Sequence, residues 1–233
     1  MNLLCFDTTS RDASIAVLRD GEVLLEYNFS SREDLSAMMI PSLEFLLGSL
    51  GLKVPQIDLF GVAVGPGLFT GIRIGLATLK GLNFCAGKPM VGVNTLEALA
   101  YKFADTRKNI VPMIDARKGE VYLACYRFSD GGMRELLAPC LLNIHDASPK
   151  LAPFTDRIFV GSGAEYHGDF LKSAFPDFRL LYRSHFLASE IGKIAWQRYG
   201  RQQYMTDLQQ LLPVYIRRPD AEGQRAQPGN DAD

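Results

Sequence analysis

Asp20-Gly21, set between two apolar runs, fixes how this chain begins. Asp-Gly between alternating apolar segments is the strongest short-range hairpin signal, because both central turn positions need positive φ. Residues 3–9 read as a buried strand ending in a polar turn, Ala13 to Leu18 as a second strand and Val23 to Phe29 as a third. The chain therefore opens as an antiparallel meander, which excludes a purely parallel doubly wound start. A helix follows from Glu33 to Leu50, with Ser31 and Asp34 as an approximate capping box and Gly51 as its stop. Next come a strand from Leu59 to Val64 and a Gly65-Pro66-Gly67 turn. A helix runs from Gly71 to Ala86, capped by Thr70 and ended by Gly87. A strand from Pro89 to Val93 and a helix from Thr95 to Phe103 complete a β-β-β-α-β-α-β-α order within residues 1–105.

After Lys108 the pattern restarts. Strands are expected at Ile110–Asp115 and Glu120–Phe128, joined by Ala116-Arg117-Lys118-Gly119. An extended stretch covers Leu136–Asn143, and a short strand Arg157–Val160. Helices are expected near Tyr166–Ala174, Ala188–Tyr199 and Thr206–Leu211. Residues 219–233 lack large apolar side chains and read as a disordered tail. The expected division is 1–105, 106–218 and the tail.

Composition narrows the function classes. A net charge of −1 is a poor footprint for a protein that holds nucleic acid through phosphates. No apolar run approaches the ~20 residues of a membrane span, and the N-terminus has no basic region of a signal peptide. Cys5, Cys85, Cys125 and Cys140 lie far apart, and His145, His167 and His185 lack metal-ligand spacing. Free thiols in a reducing cytoplasm follow, and no metal site is expected.

Four features carry candidate chemistry. The block Gly65-Pro66-Gly67-Leu68-Phe69-Thr70-Gly71 lies between strand and helix, where amides hold anions, yet it misses both the P-loop and the dinucleotide fingerprint. Its alternative is a tight turn with close packing. Asp7-Thr8-Thr9-Ser10 could meet a metal–phosphate group or merely cap a hairpin. Asp115-Ala116-Arg117-Lys118 reads first as solvated charges on a turn. The helix Glu33–Leu50 has apolar residues beyond the stripe one core needs, and Gly71, Gly75 and Thr78 form a small-residue ridge on the next helix. Either the second half of the chain or a partner covers them.

Together the segments LLCFDTTSRDASIAVL (3–18), GPGLFTGIRIG (65–75), KGL (80–82), IDARKGEVY (114–122) and PVYIR (213–217) closely resemble the bacterial TsaB (YeaZ) family. The resemblance implies an α/β, two-domain actin/sugar kinase/Hsp70-like (ribonuclease H-like) fold. The unit at 1–105 would be its core, and 106–218 a second, degenerate copy. It implies a non-catalytic partner of TsaD in forming threonylcarbamoyladenosine at position 37 of ANN-decoding tRNAs. The ATPase TsaE would join the complex, and TsaC or a relative would supply the threonylcarbamoyl-adenylate. In TsaD a His-x-x-x-His pair binds the catalytic metal; Thr95 and Leu99 stand at those positions here, so neither catalysis nor metal is expected. The expected TsaD interface uses Leu35, Met38, Met39, Ser42, Phe45 and Leu46 of the first helix. Gly71, Arg73, Gly75, Thr78 and Leu82 contribute from the second. A homodimer would use the same surface when TsaD is absent, and tRNA would bind only the complex. Asp7, Thr8 and Thr9 fall on the superfamily's first phosphate loop, and with Gly65 and Gly67 are the candidate nucleotide contacts. No cofactor is expected for the isolated chain, with ATP admitted in the complex. The alternative is an ATP-dependent small-molecule kinase of the same superfamily; a metallopeptidase is disfavoured.

Overall fold

Asp20 and Gly21 both take positive φ, 52° and 88°, as a two-residue hairpin turn requires. They join β2 (Asp12–Arg19) to β3 (Glu22–Ser30), and β2 pairs antiparallel with β1 (Asn2–Asp7). In the computed structural model, residues 1–30 and 35–217 are described. The expected capping box at Ser31 and Asp34 lies outside them.

The first sheet has the order β3-β2-β1-β4-β5, with β4 (Leu59–Gly65) and β5 (Met90–Asn94) parallel to β1. The second has the order β8-β7-β6-β9, from β6 (Asn109–Asp115), β7 (Glu120–Ser129), β8 (Gly132–Asn143) and β9 (Arg157–Val160). In both, three antiparallel strands are followed by one parallel to the first, so the second sheet repeats the first without its last strand.

Helices α1 (Leu35–Ser49) and α2 (Phe69–Ala86) cover one face of the first sheet. Between the sheets lie α3 (Thr95–Tyr101) and α7 (Ala188–Gly200). The far face of the second sheet is covered by α4 (Ala147–Leu151), α5 (Ser162–Tyr166) and α6 (Gly168–Ala174). Being sandwiched, β1 and β4 are buried on both faces, which is why they read as unbroken apolar runs. Although late in sequence, α7 returns to the first sheet. A Cβ on Gly192 would stand 2.2 Å from Leu18, and one on Gly61 3.3 Å from both Ala195 and Ile191 of α7. Ser14 of β2 accepts hydrogen bonds from the amides of Leu187 and Ala188, at 3.0 and 2.9 Å, which satisfies two otherwise orphaned donors at the start of α7.

Several local expectations change. Thr70 lies inside α2, whose N-cap is Leu68 with no side-chain bond; Gly87 does end it in the left-handed conformation, at φ 61°. Helix α1 contains Pro41, turned to its exposed side. The expected helix at Thr206–Leu211 is instead a turn, which follows Met205 where it bridges Met90 at the edge of β5. The helix expected at Tyr166–Ala174 is two short helices starting at Ser162 and meeting at His167. Strand β8 begins earlier than Leu136 and admits Pro139 because it is an edge strand, irregular in register between Leu137 and Cys140.

Candidate functional site: the cleft between the sheets and the outer helical face

The first loop and the glycine block are built against each other. Thr8 Oγ1 donates to the Gly71 carbonyl at 2.8 Å, and the Leu68 amide donates to the Thr9 carbonyl at 2.7 Å. A Cβ at Gly67 would lie 2.3 Å from Thr9 O, at Gly71 2.0 Å from Thr8 O, and at Gly75 2.4 Å from Thr8 Oγ1. Real Cβ contacts are never this short, so these glycines let α2 and its entry turn reach the backbone of the first loop. Gly65, at φ 107°, precedes a cis Pro66, and its Cβ would lie 2.7 Å from Val214 O.

This packing bears on two expectations. Gly71 and Gly75 are not a ridge for a partner helix; both are buried against Thr8. Of the expected nucleotide contacts, Thr9 and Gly67 border the cleft between the sheets, and the side chains of Asp7, Thr8 and Thr9 are hydrogen-bonded within the protein. The Thr8 hydroxyl is engaged by Gly71. The Thr9 amide and hydroxyl donate to Asp7 Oδ1, at 2.9 and 2.7 Å, and Gly65 and Gly67 pack on protein carbonyls.

Between the sheets lies a cleft of about 630 Å³. Thr9, Arg11, Gly67, Asp115, Arg117 and Arg217 are on its walls. Asp115 and Arg117, expected as solvated charges, face this cleft because the β6–β7 turn folds over it, with Arg117 at φ 63° and its amide bonded to Asp115 Oδ1. The C-terminal segment closes the rim. Val214 donates its amide to Val64 O, and Arg217 donates to Ala116 O at 2.8 Å and pairs with Glu120. Sequence reasoning found PVYIR only as a resemblance, since nothing local shows that it returns to β4.

Behind the cleft is a smaller cavity of about 180 Å³ lined by Asp7, Asp12, Thr95, Leu99, Ser162 and His185, with Thr9 between the two spaces. Thr95 and Leu99, one turn apart on α3, do point together, and Asn94 caps that helix through the Leu96 amide at 2.9 Å. His185 sits between Glu165, at 3.2 Å, and Asp12, at 3.8 Å. Burial pushes the Asp7 carboxyl up to about 6, against the lowering effect of its Thr9 hydrogen bonds and of Lys102; Asp12 adds to the rise. A carboxyl raised in the folded state binds its proton there while the unfolded chain has lost it. Its stabilising proton is therefore lost as pH rises from 3.8 to about 6. Asp7→Asn keeps the acceptor for Thr9 and removes this titration. In melts across that interval the variant is expected to gain on the parent as pH rises, by about 3 kcal/mol at neutral pH. A constant difference would contradict it.

On the outer face, the expected interface residues separate into two sets. Met39, Ser42 and Leu46 are buried in the chain's own core, while Leu35, Met38, Thr78 and Leu82 are half-buried. Phe45 is 61% exposed. Arg73 is exposed but held, stacking over Phe69 at 3.9 Å and donating to Tyr215 Oη at 3.1 Å. The exposed stripe of α2 is Arg73, Ala77, Gly81 and Phe84, at helical spacing. Phe84 is 81% exposed and Ile40 47%; neither was picked out from the sequence. A Cβ at Gly81 would meet nothing within 4 Å.

Comparison with known proteins agrees with this architecture. A family model described as TsaD, tRNA N6-adenosine threonylcarbamoyltransferase, matches residues 30–222. The tRNA threonylcarbamoyladenosine biosynthesis protein TsaB of Bacillus subtilis (strain 168) is 26% identical over 224 residues, covering 95% of this chain and 96% of the relative. The protein of that name from Escherichia coli (strain K12) is 35% identical over 137 residues, 57% of this chain and 58% of the relative. A solved structure, an uncharacterized protein with similarity to peptidase YEAZ from Pseudomonas aeruginosa, superposes with a TM-score of 0.79 at 26% identity, over 93% of this chain and 99% of that one. With two sheets of repeated topology closing on one cleft, and matches along nearly its whole length, the chain belongs to the TsaD family, in its TsaB (YeaZ) branch on the actin-like fold.

Proposed function

We propose that this chain is the non-catalytic partner subunit of TsaD in forming threonylcarbamoyladenosine on tRNA. The observation that carries this reading is the outer face of α1 and α2. There Ile40 and Phe45 of α1 and Phe84 of α2 are exposed, and the small residues Ala77 and Gly81 lie on the exposed stripe of α2. Small residues let a second helix pair approach at about 8–10 Å, and exposed aromatic side chains supply the apolar contact. The stripe lies on the outer side of α2, away from Gly71 and Gly75. When TsaD is absent, a second copy of the chain covers the same face as a homodimer. TsaE joins the pair as a third subunit, and the complex works in the cytoplasm. Among the described residues no helix is long and apolar enough to cross a membrane.

A supporting role rather than a catalytic one follows from α3. Thr95 and Leu99 offer a hydroxyl and an isobutyl group where TsaD carries two imidazoles by the resemblance, and these cannot replace them as metal ligands. Transfer RNA reaches the complex and not this chain alone, since a net charge of −1 gives little counterion release. The test is threonylcarbamoyladenosine formation on tRNA with TsaD, TsaE and the adenylate supplied. Product is expected only when this chain is added with TsaD, and none from this chain alone. Full activity without the chain, or product from the chain without TsaD, would overturn the proposal.

A further inference from the structure

We propose that the smaller cavity beside the cleft is a monovalent-cation site, with Asp7 Oδ2 and Thr95 Oγ1 as oxygen ligands, for an ion of the potassium, sodium or ammonium class. Asp7 is 1% exposed and Thr95 3%, and both line the cavity of about 180 Å³. Asp7 Oδ1 is satisfied by the amide and hydroxyl of Thr9, which fixes the carboxylate. Its Oδ2, and Thr95 Oγ1, have no hydrogen-bond partner among the described residues. An ionised carboxylate held out of water with an unmatched oxygen is costly unless a positive charge stands beside it.

Among the described residues no side chain is paired with Asp7 Oδ2 to supply that charge. Lys102 acts on Asp7 from a distance, and its Nζ stands 3.2 Å from Glu190. On the remaining wall, His185 lies between Glu165 and Asp12, so the surroundings carry more carboxylate than base. Water alone would hydrogen-bond to the oxygens without neutralising the charge. The donor set decides the class of ion. One unmatched carboxylate oxygen with a neutral hydroxyl suits a single positive charge. Calcium takes six to eight oxygens, and magnesium dehydrates reluctantly, so neither is matched. The volume holds such an ion with a few waters, at roughly 30 Å³ each.

The test is thermal melting of the full chain at about pH 8, where Asp7 is ionised. Potassium, sodium or ammonium chloride replaces N-methylglucamine chloride at constant ionic strength. At least one is expected to raise the melting temperature saturably, on the order of 5 °C. Thr95→Val should move that titration to higher concentration, and Asp7→Asn should abolish it. The advantage of Asp7→Asn at neutral pH should then be full in N-methylglucamine and reduced in the effective cation. No cation-specific rise in the parent, or a rise that persists undiminished in Asp7→Asn, overturns the proposal.

Discussion

Gly75→Arg is expected to abolish cooperative melting of this chain, whereas Gly81→Arg on the same helix leaves it intact. A Cβ at Gly75 would stand 2.4 Å from Thr8 Oγ1 and 3.4 Å from Val62. Arginine there forces a guanidinium between α2 and the first loop, where the Thr8 hydroxyl is already bonded to Gly71. Overpacking costs about 1–3 kcal/mol and an unpaired buried charge several more, which together rival a whole-domain stability of about 5–15 kcal/mol. At Gly81 nothing lies within 4 Å, and replacing glycine in an exposed helix removes a propensity penalty of about 0.8–1.0 kcal/mol. Circular-dichroism melts of the two variants check the contrast. A folded Gly75→Arg would mean that α2 and the first loop are not packed as described.

Arg198→Met is expected to cost about 3–5 kcal/mol, because it strands a buried carboxylate. Arg198 of α7 donates to both oxygens of Glu97, each at 2.7 Å, and to the Gly92 carbonyl at 2.8 Å, tying α7 to α3 and β5. Burial raises the Glu97 carboxyl, with Arg198 opposing the rise. Without the arginine it is raised further. The variant's deficit should therefore grow with pH as Glu97 is driven to ionise, being smaller at about pH 4.5 than at about pH 8. Removing the carboxylate as well, in Arg198→Met with Glu97→Met, should recover most of the loss. Denaturant melts of the three variants measure it; an equal deficit in the single and double variants would show that the lost contact is packing and not charge.

Local signals gave the elements and long-range contacts gave the site. The Asp20-Gly21 turn, the Gly87 end of α2 and the helix near Ala188–Tyr199 were legible because each is set by its own neighbours. The expected Thr206–Leu211 helix is a turn that follows Met205, which bridges Met90, a partner remote in sequence. The same limit explains Gly71 and Gly75. Glycines at helical spacing promise a close approach, but not to what; here it is the backbone of Thr8. Asp115 and Arg117 looked like turn charges because nothing in the sequence brings Arg217 back beside them. Phe84, near the end of α2, stands outside the buried stripe, which only the folded helix shows. Thr95 and Leu99, one turn apart on α3, line the same cavity because that spacing is a property of the helix itself.

Sedimentation of this chain mixed in equal amounts with TsaD tests whether the two meet through the outer side of α2. The parent chain with TsaD is expected to sediment as a heterodimer. Gly81→Arg, with an unchanged melting curve, is expected to leave two separate species, because a charge trapped in a helix–helix contact costs several kcal/mol. A heterodimer formed equally well by folded Gly81→Arg would contradict that contact and place the interface elsewhere.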